Sequence, residues 1–326
     1  MHVLFITGSD MRGASFRHRV HQYIKALEAD GIRCTVAHIR DIPLHKTRQL
    51  RDYDVAFVQK RLFPVPWILA ASVFARKLIF DFDDAIWTSP KMNWSVPTKV
   101  QMRLRLRTIL SRASCVTVGN SYLAEYAGKY NRNMRVIPTC VDTDYYRPGP
   151  SREGETLRIG WIGSRPNLIY LEHLEAVFQR LSANGSISLV VICDREYRSP
   201  DLPTEFIPWS LEGELPALQG LDIGVMPLAD DEWTRGKCGF KTIQYMACGI
   251  PSISSRVGMN KEIVQDGKNG FLAGNDDEWV EKLSLLIGDA GLRKRMGQAG
   301  RRTVEDKYGV GVGATLLADA IRSTCL

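Results

Sequence analysis

The sequence predicts an α/β protein of two doubly wound, Rossmann-like domains facing a central cleft, and three observations predict it. At 326 residues the chain exceeds what one hydrophobic core usually serves, so two domains of about 150 residues are the natural division. Short apolar runs of strand character alternate with segments of 3.6-residue periodicity through both halves, the pattern of βαβ units and parallel sheets. Midway, the stretch RPGPSREGET (Arg147 to Thr156) interrupts that alternation with two prolines, two glycines and polar residues. The division is therefore 1–150 for the N-terminal domain and 151–326 for the C-terminal domain, with the last helix able to pack back on the first.

In order, the first half offers HVLFIT, CTVAHI, DVAFVQ, KLIFDF, CVTVGN and RVIPT as strands, separated by helical segments such as RHRVHQYIKALEAD. The second half repeats the scheme with LRIGWIG, SLVVIC, EFIPW, DIGVMPL, PSISS and GFLA, and its final segment reads as helices. The apolar share of 44% and charged share of 24% are those of an ordinary globular protein. The longest apolar stretch after the first strand, FPVPWILAASVFA, falls short of the ~20 residues that span a bilayer. The opening MHVLFITGSD is too short an apolar run for a signal peptide. Seven scattered cysteines, without a C-x-x-C pair, read as reduced thiols of a cytoplasmic protein and exclude a disulfide framework or zinc site.

Charge is uneven. Residues 1–150 hold 23 Lys and Arg against 12 Asp and Glu, whereas the remainder holds 20 against 24. From Ala85 to Ala124 there is no acid, while Lys91, Lys99, Arg103, Arg105, Arg107 and Arg112 fall inside that stretch. Such a field suits an anionic partner, and the basic helix TKVQMRLRLRTILSRA, with Met102, Leu106, Ile109 and Ala113 on one face, is read either as a solvated helix on a core or as an in-plane contact with anionic lipid.

Four stretches carry chemistry. The first strand runs into GSDMRGASFRHRV, where Gly13, Ser15, Arg17 and Arg19 stand at a glycine turn and helix start, an anion-site geometry. G-x-G-x-x-G is absent, so a dinucleotide cofactor loses support. DFDDAIW puts Asp81, Asp83 and Asp84 at a strand's carboxyl end, where α/β sheets bind ligands. Hydroxyl recognition is ranked above a divalent metal, because no second acidic cluster completes an oxygen site. In the second half Gly163, Ser164, Arg165 and Asn167 repeat the strand–glycine–helix turn. RGKCGFKTIQYMACGIPSISS then aims Lys237 and Lys241 at a glycine-loosened helix entry, an arrangement that would cradle a diphosphate.

At these residues the sequence resembles a known family, the GT-B fold, retaining, nucleotide-sugar-dependent glycosyltransferases of family GT4. GKCGFKTIQYMACGIPSISS is similar to the family's nucleotide-sugar segment, GMNKEIVQDGKNGFLA to the segment that follows, and VIPTCVDTDYYRP to the one before the linker. With the RHRV helix and the GNSYL turn the resemblance spans nearly the whole chain. It implies donor binding by Gly163, Ser164, Arg165, Asn167, Lys237, Cys238, Gly239, Phe240, Lys241 and Gln244. It also implies acceptor binding by Gly13, Ser15, Arg17, Arg19 and Asn120, and catalysis by Asp83, Asp84 and Lys241. Gly236 and Gln244 stand where the family carries two glutamates eight residues apart; Asp83 or Asp84 stands where many members carry a histidine.

The implied activity is transfer of a sugar from a nucleotide-diphosphate sugar to a glycan, lipid-linked or small-molecule acceptor, with retention by front-face attack. No metal and no cofactor enter beyond the donor substrate. The implied partners are the donor, the acceptor and an anionic membrane surface, with no nucleic acid, for a cytoplasmic protein peripheral on the membrane's inner face. The alternative is a catalytically silent GT-B-like protein that only binds nucleotide sugar.

Overall fold

The computed structural model describes residues 1–11, 13–88, 95–150, 156–183 and 187–326. Residues 151–155 of the expected joint, and Lys91 of the acid-free stretch, lie outside them. The chain divides into two compact units. Met1–Cys140, Arg235–Cys238 and Val310–Leu326 form the first; Val141–Thr234 and Gly239–Gly309 form the second. The division thus runs at Cys140/Val141 rather than at 150, and the last helix belongs to the first unit.

In the first unit β1 (His2–Thr7) leads into α1 (Ala14–Phe16), a π-helical turn over Arg17–His21, and α2 (Gln22–Ala29). Then follow β2 (Arg33–His38), β3 (Val55–Gln59), α3 (Val65–Phe74), β4 (Leu78–Phe82), α4 (Val96–Arg112), β5 (Cys115–Val118), α5 (Ser121–Gly128) and β6 (Met134–Val136). All six strands are parallel in the order β2-β1-β3-β4-β5-β6. The runs of β3, β4 and β5 are buried throughout, which is why they read as continuous apolar stretches rather than alternating ones. On one face Val3, Phe5, Val55, Phe57, Ile79 and Cys115 pack with Tyr23 and Leu27 of α2 and with Leu317 and Ile321 of the C-terminal helix. Helix α4 starts where Ser95 accepts from the Thr98 amide at 3.4 Å and Pro97 fills an early position that needs no donor. It buries Leu106, Ile109 and Leu110, while Val96, Val100 and Leu104 form an exposed row.

The second unit holds β7 (Leu157–Ile162), α6 (Leu168–Glu172), α7 (Glu175–Leu181), β8 (Ile187–Cys193), β9 (Thr204–Pro208), α8 (Glu214–Gln219) and β10 (Ile223–Met226). After α9 (Glu232–Arg235), which crosses the division, come α10 (Phe240–Ala247), β11 (Ser252–Ser255), α11 (Asn260–Ile263), β12 (Phe271–Ala273), α12 (Asp276–Gly288) and α13 (Ala290–Lys307). α14 (Val310–Cys325) returns to the first unit. The second sheet is also parallel, in the order β12-β11-β10-β7-β8-β9. The strand order reverses between β7 and β10, the place where open parallel sheets take ligands. Tyr245 of α10 ties those two strands: its hydroxyl accepts from the Ile162 amide at 3.1 Å and donates to the Val225 carbonyl at 3.3 Å. The seven cysteines are free, and among the described residues no helix is long and apolar enough to cross a membrane.

Candidate functional site

Four of the first unit's expected residues, Gly13, Ser15, Asp83 and Asp84, stand in the segments that follow β1 and β4. Gly13 is the N-cap of α1, and its amide donates to the Asp10 carbonyl at 2.9 Å. Two residues on, the Ser15 hydroxyl donates to Asp83 Oδ2 at 3.0 Å. Asp83 and Asp84 follow β4 and face Lys60, which follows β3. The Lys60 ammonium lies 2.9 Å from Asp83 Oδ1, donates to Asp84 Oδ2, and reaches Ser15 Oγ at 3.3 Å. Burial alone would raise the Asp83 carboxyl, but the Lys60 ammonium and the Arg19 guanidinium outweigh it and hold the group below its ordinary range. Asp83 therefore stands as an ionised hydrogen-bond acceptor, with Asp84 beside it on the same cation.

Three expectations need correction here. Arg19 is not an acceptor ligand: it is 2% exposed, its Nε donates to Asp81 Oδ2 at 3.2 Å, and its remaining nitrogens are taken by Asp81 Oδ1 and the Ile137 carbonyl. Asp81 in turn accepts from Thr117 Oγ1 at 2.8 Å, so it braces the sheet from inside rather than joining Asp83 and Asp84. Arg17 is likewise buried, and its Nη1 donates to the Met11 carbonyl at 2.8 Å. No group of three or more metal-type ligands occurs among the described residues.

The segment Arg235–Cys238 packs within the first unit. Asn120 caps α5 by accepting from the Leu123 amide at 2.8 Å, and its Nδ2 donates to the Lys237 carbonyl at 3.0 Å. Cys238 Sγ lies 3.1 Å from the Asp83 carbonyl, and burial with Asp83 nearby pushes its thiol well above the usual range. Lys237 Nζ stands 4.0 Å from Asp84 Oδ1. Gly236 is sealed: a Cβ there would sit 2.7 Å from both the Cβ and the amide nitrogen of Ala85. The position that resembles the family's first glutamate has no room for any side chain.

In the second unit, Lys241 lies in the first turn of α10 and holds its Nζ 5.4 Å from the centroid of the Trp161 ring, in cation–π contact. A Cβ on Gly163, just past β7, would meet that same ring at 2.5 Å and Lys241 Cε at 3.1 Å. The backbone of Gly163, the indole and the lysine thus form one corner at the point where the strand order reverses. Gly239 caps α10 at φ 65°, in the left-handed region, and a Cβ there would lie 2.2 Å from Ile263. Phe240 opens the helix. Ser164 and Asn167 close an exposed turn, with Asn167 Nδ2 donating to Ser164 Oγ at 3.0 Å. Arg165 donates its amide to Asp194 at 2.5 Å and lines a cavity of about 580 Å³ with Ile169, Glu172, Arg195 and Tyr197.

Gln244 also needs correction. It is 2% exposed and its Nε2 donates to Glu214 Oε1 at 3.1 Å and to the Tyr146 hydroxyl at 3.3 Å, so it does not face a ligand. Glu214, missed in the sequence, is a buried carboxylate that also accepts from Trp209 Nε1 at 2.6 Å and from Tyr146. The expected Lys237–Lys241 pair separates in the same way: Lys237 is held by Asp84 in the first unit and Lys241 by Trp161 in the second. Lys60, the central cation of the first unit's site, was also missed; a lysine ending the apolar run DVAFVQ was the available signal.

Residues 157–289 match the family model of glycosyl transferases group 1. Over 250 residues the chain is 27% identical to the GDP-mannose-dependent alpha-(1-6)-phosphatidylinositol monomannoside mannosyltransferase of Mycobacterium tuberculosis, covering 67% of this chain and 64% of the relative. Over 67 residues it is 34% identical to spore coat protein SA of Bacillus subtilis, covering 20% of this chain and 18% of that one. The chain therefore spans less than two thirds of the length of these curated relatives. In fold it is similar to Anabaena Alr3699/HepE, solved in complex with UDP, with a TM-score of 0.74 at 17% identity over 99% of this chain and 100% of that one.

Proposed function

We propose that this chain is a GT-B glycosyltransferase of group 1 that moves a sugar from a nucleotide-diphosphate donor to a glycan, lipid-linked or small-molecule acceptor with retention of configuration. The observation that carries this reading is the corner of Gly163, Trp161 and Lys241, at the strand-order reversal inside the segment that matches the family. Donor binding falls to this corner, with the amides at the start of α10 and the Lys241 ammonium on the diphosphate. GDP-mannose, on which one relative's printed name makes it dependent, supports a nucleoside-diphosphate sugar as the donor class.

Acceptor binding falls to Asp83 and Asp84 of the first unit, which take hydrogen bonds from sugar hydroxyls. The leaving phosphate takes the acceptor's proton, so the protein's main task is to stabilise charge growing on that phosphate, which fixed cations and amides do without reorganising. Lys241 is the residue assigned that task, and the scheme uses no metal ion. The row Val96, Val100 and Leu104 on α4 lies beside the exposed Lys99, Arg103 and Arg107, which supports peripheral contact with an anionic bilayer on the cytoplasmic side.

The test is release of free nucleoside diphosphate from a panel of nucleotide sugars, offered with glycan and lipid-linked acceptors. Release that depends on an acceptor supports transfer. Tight nucleotide binding without release from any donor would leave only a binding protein.

A further inference from the structure

Lys60 is the one residue other than glycine with positive φ among the described residues. Its φ of 57° places a long side chain in the left-handed region, a conformation that persists only where the surroundings over-determine it. Here they do. Its amide donates to the Asp81 carbonyl at 2.6 Å, tying the end of β3 to the end of β4 and turning the side chain toward Asp83 and Asp84. The ammonium then donates to Asp84 and Ser15 and stands in ion-pair contact with Asp83 Oδ1 at 2.9 Å. Backbone and head group are thus both committed to one placement.

We infer that Lys60 is a positioning residue for the transfer reaction, holding Asp83 and Asp84 as a fixed pair of acceptors for the hydroxyls of the sugar that receives the transferred unit. This rests on the functional reading above and adds to it the group that orients the pair. Stability alone is a poor reason for such a cluster, since a largely buried ion pair often gives no more than apolar residues of equal volume. Two adjacent carboxylates at a strand end need a cation between them before both can accept hydrogen bonds. Lys60 is that cation, in contact with both carboxylates, whereas Arg19 is engaged by Asp81 and Lys237 stands at 4.0 Å from Asp84 Oδ1.

The charged and titratable groups facing Asp83 are Lys60, which follows β3, His18 and Arg19 from the π-helical turn, and Cys238 from the 235–238 segment; Asp84 follows it in the chain and faces Lys60 and Lys237. His18 is held neutral there, pushed down to about 3 by burial and by Arg17. With Lys60 removed, burial raises the Asp83 carboxyl with less opposition, so the acid limb of activity moves to higher pH.

The experiment compares Lys60→Met and Lys60→Arg with the parent, reading kcat and KM for the acceptor across pH and, in the unliganded proteins, the Asp83 carboxyl by 13C NMR. Expected for Lys60→Met is a loss of at least about tenfold in kcat/KM for the acceptor, as a misplaced reactant gives. Its acid limb should shift upward, nucleoside-diphosphate affinity should stay at the parent's value, and Lys60→Arg should recover most of the loss. A Lys60→Met enzyme with the parent's pH profile overturns the inference. So does an Asp83 carboxyl in the parent that titrates at or above the ordinary ~3.9, a reading that needs no variant to fold and no turnover. If the parent releases nucleotide from no donor, the functional reading fails, while the carboxyl titration still decides the placement of Lys60.

Discussion

Replacing Gly236 by alanine asks whether the acid of the resembled motif can be regained. The added Cβ would sit 2.7 Å from the amide nitrogen of Ala85 and 3.1 Å from its Cα, and these are backbone atoms that cannot rotate away. Overpacking of a tight site costs about 1–3 kcal/mol, and the lost freedom of the unfolded chain offsets about 0.4–1 kcal/mol of it. A net loss of about 1–2 kcal/mol remains, which lowers the melting temperature of a unit this size by roughly 2–8 °C. Gly236→Glu should lose at least as much and gain no activity, because its carboxylate has no room to reach a ligand from there. Differential scanning calorimetry of both variants is the assay. Melting within about 1 °C of the parent, or a Gly236→Glu enzyme with raised turnover, would refute the steric reasoning.

Four further outcomes are expected. Lys241→Met should weaken nucleoside-diphosphate binding by about tenfold to a hundredfold, the worth of one charge-assisted bond, while the unliganded protein melts as the parent does; calorimetric titration reads both halves. Gln244→Glu sets a second carboxylate against Glu214 in a buried place and should cost about 3 kcal/mol at neutral pH, eased as the pH falls and one of the two is protonated; urea unfolding at two pH values checks the sign. The stability that Asp83 contributes should be fully present above the ordinary carboxyl pKa of about 3.9 and fade as pH drops through its lower folded value, and Lys60→Met should move that fade upward in acid-unfolding curves. Reversing Lys99, Arg103 and Arg107 to Glu should abolish salt-sensitive sedimentation with anionic vesicles, each base being worth about 1 kcal/mol at such a surface; unchanged sedimentation would remove the membrane reading.

Among the described residues the central strands were legible because they are buried on both faces and read as apolar runs, whereas the edge strands β2, β6 and β9 are largely open to solvent and read less plainly. DVAFVQ and KLIFDF are such runs, and both are strands. The site was legible where local geometry makes it, as at the Gly13 turn, the Gly239 helix entry and the carboxylates that end β4. It was not legible where partners come from far along the chain. Arg19 and Asp81 look like two exposed charges until the fold buries them together, and Gln244 looks like a ligand until Glu214 is found beside it. Lys60 carries no motif: its role follows from a left-handed backbone and from carboxylates 23 and 24 positions later, neither of which a periodicity contains. Gly236 reads as a missing acid in the sequence and as a close backbone approach to Ala85 in the structure.

Sugar transfer itself is tested most directly by following a nucleotide sugar and an acceptor with the parent protein by proton NMR. The donor's anomeric signal should fall as a product signal of the same anomeric configuration rises, and Asp83→Asn should slow that exchange while the protein stays folded at the assay temperature. A product of inverted configuration would contradict the retaining mechanism, and a donor signal that stays constant with every acceptor while the nucleotide binds would contradict transfer altogether.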